Sequence, residues 1–205
     1  MRAKVIYLIL ILISPLTSHA QTYFGLSGGG IRTFDQAAYY TKISPTINLE
    51  WIKKKNKRDY RVGLSAYSLI PYESSYAVYK HQYPTNKIVT GTLVFHHFRK
   101  LSLDLTSDLY LIQRKRMSWF AGAGFSTGIL SIYKTIDYLV GEEEHVKETS
   151  LFLQPGANTG FLYNFSDNFS LNMEFKAAYC WYFGVATTSF LNHSINLGIR
   201  YKWKG

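Results

Sequence analysis

The sequence predicts an all-β chain folded as an eight-stranded antiparallel up-and-down transmembrane β-barrel. Three observations lead there. Apolar residues recur at every second position over most of the chain, the face opposite them carries the charges, and the joins between extended segments alternate short and long.

The N-terminal residues stand apart from this pattern. Arg2 and Lys4 precede an apolar run from Val5 to Ile13, Pro15 breaks it, and Ser18-His19-Ala20 supplies small residues for cleavage. That is the layout of a removable export signal, so residues 1–20 are read as a signal peptide and 21–205 as one barrel domain. The apolar run is too short for a helical anchor, which needs about 20 residues. Gln21 follows the expected cut, so no cysteine stands there for a lipid anchor. Cys180 is the sole cysteine, which excludes an intramolecular disulfide. No later run reaches helical span length, so residence in a membrane requires strands.

The formal net charge of +10 is concentrated in KKKNKR at 53–58 and RKR at 114–116. Two short runs behind an export signal do not form a binding stripe, and nucleic acid is not an expected partner.

Strand by strand, the alternation is explicit. The segment from Phe24 to Phe34 is glycine-bearing and the weakest, together with Leu151 to Tyr163. Ile43, Pro45, Ile47, Leu49 and Trp51 oppose Ser44, Thr46, Asn48 and Glu50, while Val62, Leu64 and Ala66 oppose Arg61, Gly63 and Ser65. Leu101, Leu103, Leu105, Leu109 and Leu111 oppose Ser102, Asp104, Thr106, Asp108 and Tyr110. Trp119, Ala121, Ala123, Phe125 and Ile129 oppose Gly122, Gly124, Ser126 and Gly128. Phe169 through Trp181 alternates against Ser170, Asn172, Glu174, Lys176, Ala178 and Cys180, and Ile195, Leu197, Ile199, Tyr201 and Trp203 against Ser194, Asn196, Gly198, Arg200 and Lys202. Pro45 and Pro155 fit only at bulges or edges.

The joins 53–59, 114–118 and 166–168 are short and polar; those at 35–41, 71–87 and 141–148 are longer, with a last short join at 184–187. Such alternation matches short periplasmic turns and larger outer loops, and places the basic runs on the periplasmic side with both termini. Within the longest excursion, Ser74 to Tyr83 and Lys87 to Phe98 read as an extended hairpin around Pro84-Thr85-Asn86. This arm carries Tyr72, Tyr76, Tyr79 and Tyr83, which serve either as a partner-binding surface or as cross-strand stabilisers.

A soluble barrel would bury its apolar face. Here that face ends in Trp51, Trp119, Trp181, Tyr201 and Trp203, as a lipid interface favours, and the opposite face holds Glu50, Arg61, Asp104, Asp108, Glu174, Lys176 and Arg200. Buried charges must pair. The expectation is therefore a narrow lumen closed by a mutual charge network.

Asn196, Gly198, Tyr201 and Trp203 form a polar-x-Gly-x-x-aromatic-x-aromatic ending. It resembles the C-terminal signal by which outer-membrane barrels are recognised by the barrel assembly machinery, with Lys204 and Gly205 following where many members stop. With SLDLTSDLYLIQRKRMSWFAGAGFSTGIL, the whole segment 21–205 resembles the small outer-membrane barrels common in Bacteroidota, including PorT-like barrels, and the OmpA/OmpX-type architecture. The resemblance implies a Gram-negative outer membrane, contact with its lipids, and passage through the assembly machinery.

Candidate chemistry is thin. PagL-type lipid A deacylases use His-x-Ser on one strand face, whereas His193 and Ser194 are adjacent and diverge. His96 and His97 diverge likewise, and Asp104 and Asp108 lie about 13 Å apart along a strand. Glu142, Glu143, Glu144 and His145 read as a polar loop, Ser27 to Gly30 lacks the residues of a phosphate loop, and Cys180 reads as an inert lumenal thiol. No catalytic residue, metal or cofactor is expected. The expected function is non-enzymatic: a structural, adhesive or accessory subunit of the envelope that offers its outer loops to a partner. The alternatives are a lipid-modifying enzyme of the lipid A deacylase kind, which would need His81, Glu143 or His145 to converge with a hydroxyl at the outer rim, and a narrow pore.

Overall fold

The computed structural model describes residues 21–34, 42–70, 75–82, 87–138, 143–183 and 189–203. The predicted signal peptide at 1–20, Tyr72 and Tyr83, the loops at 35–41 and 184–187, and Lys204 and Gly205 lie outside the described residues.

All described elements are strands: β1 (Gln21–Phe34), β2 (Ser44–Lys55), β3 (Arg58–Leu69), β4 (Ser75–Gln82), β5 (Lys87–Gln113), β6 (Met117–Tyr138), β7 (Glu143–Asn164), β8 (Phe169–Phe183) and β9 (Ser189–Trp203). Every ladder is antiparallel. β1 pairs with β9 from Thr22↔Trp203 to Phe34↔Leu191, and β3 pairs with β5 from Arg58↔Leu109 to Leu69↔Phe98. Those two ladders close an eight-stranded ring, and β4 stands outside it, paired only to the upper part of β5 from Gln82↔Lys87 to Ser75↔Val94. This is the expected eight-stranded antiparallel barrel with a hairpin arm.

Alternation decides which way each side chain points. Leu49, Leu64, Leu101, Leu171, Leu197 and Ile199 are exposed on the outer surface, while Asn48, Arg61, Ser102, Asn172, Asn196 and Arg200 are buried inside. The apolar face thus surrounds the barrel and the polar face fills it, the inverse of a soluble barrel. One outer edge of the apolar band carries Phe24, Trp51, Trp119, Tyr163, Phe169, Tyr201 and Trp203, and the opposite edge carries Tyr179, Trp181 and Phe183.

At the end where the described chain starts and stops, the joins are short. A two-residue turn, Asn56-Lys57, joins β2 to β3, with Asn56 in the left-handed region (φ 56°), a conformation that asparagine tolerates. Each turn is tied to a neighbour: Tyr110 N donates to Lys57 O (2.8 Å), Asn164 N to Arg116 O (2.8 Å) and Lys202 N to Asn168 O (2.7 Å).

At the other end β5, with 27 residues, and β6 and β7, with 22 each, are about twice as long or more than the roughly 9–11 residues that a tilted strand needs to cross a bilayer. The arm is therefore a sheet of β4 to β7. Glu143, Glu144 and His145, expected in a loop, lie within β7, because the β6–β7 ladder runs on to Asp137↔Glu143. β5 bulges between Phe95 and His97 and again between Tyr110 and Ile112. Pro155 sits where the β7–β8 ladder skips from Leu153↔Trp181 to Gly156↔Ala178, so its missing N–H breaks no ladder bond on that side.

Candidate functional site

The charged residues singled out from the sequence come together inside the barrel in stacked tiers. Nearest the short turns, Arg200 Nη1 lies 2.8 Å from Asp59 Oδ2, and the same oxygen accepts from the Tyr110 hydroxyl at 2.6 Å. Above it, Arg61 is shared by three carboxylates. Its Nη1 and Nη2 grip Glu174 at 2.7 and 2.8 Å, Nη1 also donates to Glu50 at 2.9 Å, and Nε stands 2.8 Å from Asp108 Oδ2. Asn158 donates to Asp108 Oδ1 at 2.8 Å. The Phe120 ring separates these tiers, with the Arg61 and Arg200 guanidinium carbons 5.9 and 5.6 Å from its centroid.

Gly160 makes room for that ring. A Cβ there would stand 2.7 Å from Phe120 Cζ, closer than real contacts allow.

A third tier holds Lys176 Nζ 3.9 Å from Asp104 Oδ1, with Ser65 bonded to Asp104 and Ser126 to Lys176. Higher still, Lys100 donates to Gln154, lies 3.7 Å from Cys180 Sγ and sits 4.1 Å from the centroid of Phe152. The upper end is apolar: Ile31, Leu69, Phe95, Phe98, Leu130, Phe152 and Tyr182 pack as one cluster. Side chains therefore cross the lumen at every level, in charged tiers below and an apolar plug above.

All seven predicted network residues occupy this interior, and sequence reasoning missed Asp59, Tyr110 and Lys100 as partners. Asp59 falls in a join on the sequence reading, but β3 starts at Arg58 and gives it the inward parity of Arg61. Lys100 continues the parity of Ser102 by one step.

The terminal pattern splits between the two faces. Asn196 faces inward, where its Oδ1 accepts from Thr46 at 2.9 Å, and Gly198 lies opposite Ser27. Tyr201 and Trp203 face outward, 5.0 Å from the Phe169 ring and 5.7 Å from the Phe24 ring. Of the arm tyrosines, Tyr79 is exposed on β4 and Tyr76 belongs to the same strand.

On the outer arm one constellation departs from expectation. Thr135 Oγ1 lies 2.8 Å from His96 Nε2 and 3.1 Å from His145 Nδ1, and His145 Nε2 lies 3.8 Å from Glu143 Oε1. The sequence register supplied no such hydroxyl, because the bulge between Phe95 and His97 is what brings His96 over Thr135. The arrangement is a poor nucleophile: Thr135 is buried beneath both rings, and 3.8 Å exceeds a hydrogen bond. Among the described residues, no three His, Cys, Asp or Glu side chains converge as a metal site. His193 stacks its ring 6.0 Å from that of Phe175 on the outer face, away from the buried Ser194.

No protein-family model matches the chain, and no curated protein sequence matches it. Among solved structures, Neisserial surface protein A superposes with a TM-score of 0.56 at 16% identity, covering 89% of this chain and 97% of its own. Ail, the attachment invasion locus protein of Yersinia pestis, gives 0.46 at 12% identity over 90% of this chain and 100% of its own. A major outer membrane protein of Thermus thermophilus gives 0.47 at 12% identity with the same coverage, 90% and 100%. The likeness to the Neisserial protein is one of fold: this chain has the architecture of a small eight-stranded β-barrel.

Proposed function

We propose that this chain is a non-enzymatic barrel of a Gram-negative outer membrane, acting as a structural, adhesive or accessory subunit of the envelope through its external arm. The observation that carries this reading is the filled lumen inside an apolar exterior. With the interior occupied by Arg61, its three carboxylates and the tiers above, the outer sheet and loops are the surfaces left to meet a partner. The buried position of Thr135 supports a non-catalytic arm over a lipid-modifying site, and the apolar plug supports a closed barrel over a pore.

The finer identity follows the same reading. Residues 1–20 serve as a cleaved signal peptide, Asn196, Gly198, Tyr201 and Trp203 as the assembly signal, and Trp51, Trp119 and Trp181 as interfacial anchors among outer-membrane lipids. The relatives in function are PorT-like barrels of the Bacteroidota. A pull-down from cross-linked outer membranes, run with the intact chain and with residues 71–90 replaced by a short turn, tests the accessory role. Partners lost with the arm support it; partners retained without the arm place the contact elsewhere. A change in lipid A mass on deleting the gene would instead establish the enzymatic alternative.

A further inference from the structure

The basic turns are not used by the lumenal network, yet they surround a concavity at the turn end of the barrel. Its volume is about 160 Å³, and its walls include Tyr23, Lys54, Asp59, Tyr110, Lys115 and Arg200. That is the space of about five waters.

Three cations, Lys54, Lys115 and Arg200, line this mouth against two acids, Asp59 and Asp167. Asp59 is already engaged, its Oδ2 taking both Arg200 and Tyr110. Lys54 has its ammonium 4.3 Å from the Tyr110 ring centroid, and among the described residues neither it nor Lys115 has a carboxylate within salt-bridge reach. Arg200 is 3% exposed and holds Asp59 through Nη1, while its Nε and Nη2 and the second oxygen of Asp59, Oδ1, are buried without a hydrogen-bond partner among the described residues. Leaving such donors unmet is costly, more so on a charged group. The turns at this end carry further cations in sequence, Lys55, Lys57, Arg58, Arg114 and Arg116, while Asp167 is the one further acid lining the cavity. An excess of cations around a concavity focuses a positive field on its interior.

The mouth is also preorganised. The hydrogen bonds from Tyr110 to Lys57, Asn164 to Arg116 and Lys202 to Asn168 lock all three turns to their neighbours, so Lys54 and Lys115 are held over the cavity by a fixed backbone. A cationic pocket with the Ser166 hydroxyl on its wall, which accepts from the Asn168 and Phe169 amides and keeps its own proton to give, suits a tetrahedral oxyanion, which accepts several charge-assisted hydrogen bonds at once.

We infer that this vestibule is a binding site for a phosphate group carried by a soluble ligand on the turn side of the membrane, with Lys54 and Lys115 as its cationic jaws above Arg200. The inference goes beyond the arm-based role and rests on that reading only for the existence of a closed barrel.

The test is calorimetric titration of inorganic phosphate into the untagged barrel, folded in non-ionic detergent at low ionic strength. Saturable binding of one phosphate per barrel is expected. Lys54→Met and Lys115→Met should each weaken it by at least about tenfold, while Lys57→Met, an equal charge loss outside the cavity, changes it less than about twofold. Lys115 lies on an exposed turn, so its substitution remains informative where Lys54→Met disturbs folding. Non-saturable uptake overturns the site, as does a Lys57→Met effect equal to that of Lys115→Met, which would mean diffuse charge attraction. Binding to phosphatidylglycerol vesicles without binding to inorganic phosphate overturns it in favour of a lipid headgroup contact. A barrel whose boiled and unboiled forms migrate alike on a denaturing gel fails the barrel reading itself, whereas a heat-modifiable barrel indifferent to phosphate fails this inference alone.

Discussion

At the scale of single residues, Arg61 holds the interior together. It is 3% exposed and faces Glu50, Asp108 and Glu174, so its removal would leave three carboxylates close together without their cation. Breaking a buried ion pair from one side costs about 3–5 kcal/mol. Arg61→Met should lower the stability of the vesicle-inserted barrel in urea by that amount, and adding Glu174→Gln should recover part of it. An unchanged urea midpoint for the single variant would show that water, not Arg61, neutralises these acids. Lys100 makes the opposite case. It sits over Phe152 with Gln154 and Cys180 as partners and no ion pair among the described residues, so its charge is held by an aromatic face and one amide. Lys100→Met should therefore be neutral or stabilising in the same assay, because a methionine fills the space without the desolvation cost of an ammonium.

At the scale of elements, the ring and the arm are separable. β3 meets β5 along Leu69↔Phe98 to Arg58↔Leu109, below the stretch of β5 that carries β4. Ring closure therefore does not use β4, and replacing residues 71–90 by a short turn should leave the heat-dependent gel shift intact. Loss of the shift would mean that the arm contributes to closure. The arm is also where local sequence was least informative. Alternation predicts its strands, but the bulge at His96 inverts the facing of the residues beyond it, and no propensity marks that point. A hydroxyl flanked by two imidazoles consequently arises where a strict period of two keeps them apart.

For the whole molecule, the decisive feature is the filling of a small lumen. An eight-stranded barrel leaves little more than side-chain volume inside, and here the described interior is crossed by ion pairs, by Phe120 and by the cluster of Phe95, Phe98, Leu130 and Phe152. Planar-bilayer recordings should show no stable open conductance at moderate voltage. A steady single-channel step would mean that the Arg61 tier and the apolar plug exchange for a water path.

The class of object is legible in the chain before any folding is considered. A period-two pattern with charge on one face admits few solutions, and the repeated polarity of Leu101 to Leu111, Phe169 to Trp181 and Ile195 to Trp203 is sufficient for an inside-out barrel because alternation is a property of the extended backbone. The same parity identifies which charges face inward, since facing along one strand is local. Arg61 meets Glu50 within one hairpin, but its other partners are settled by ring closure. Arg61 engages Glu174 from β8 and Asp108 from β5 through the stagger of strands around the closed ring, and that stagger is written in no single segment. The same closure brings Lys54, Lys115 and Arg200, from three separate hairpins and strands, around one cavity.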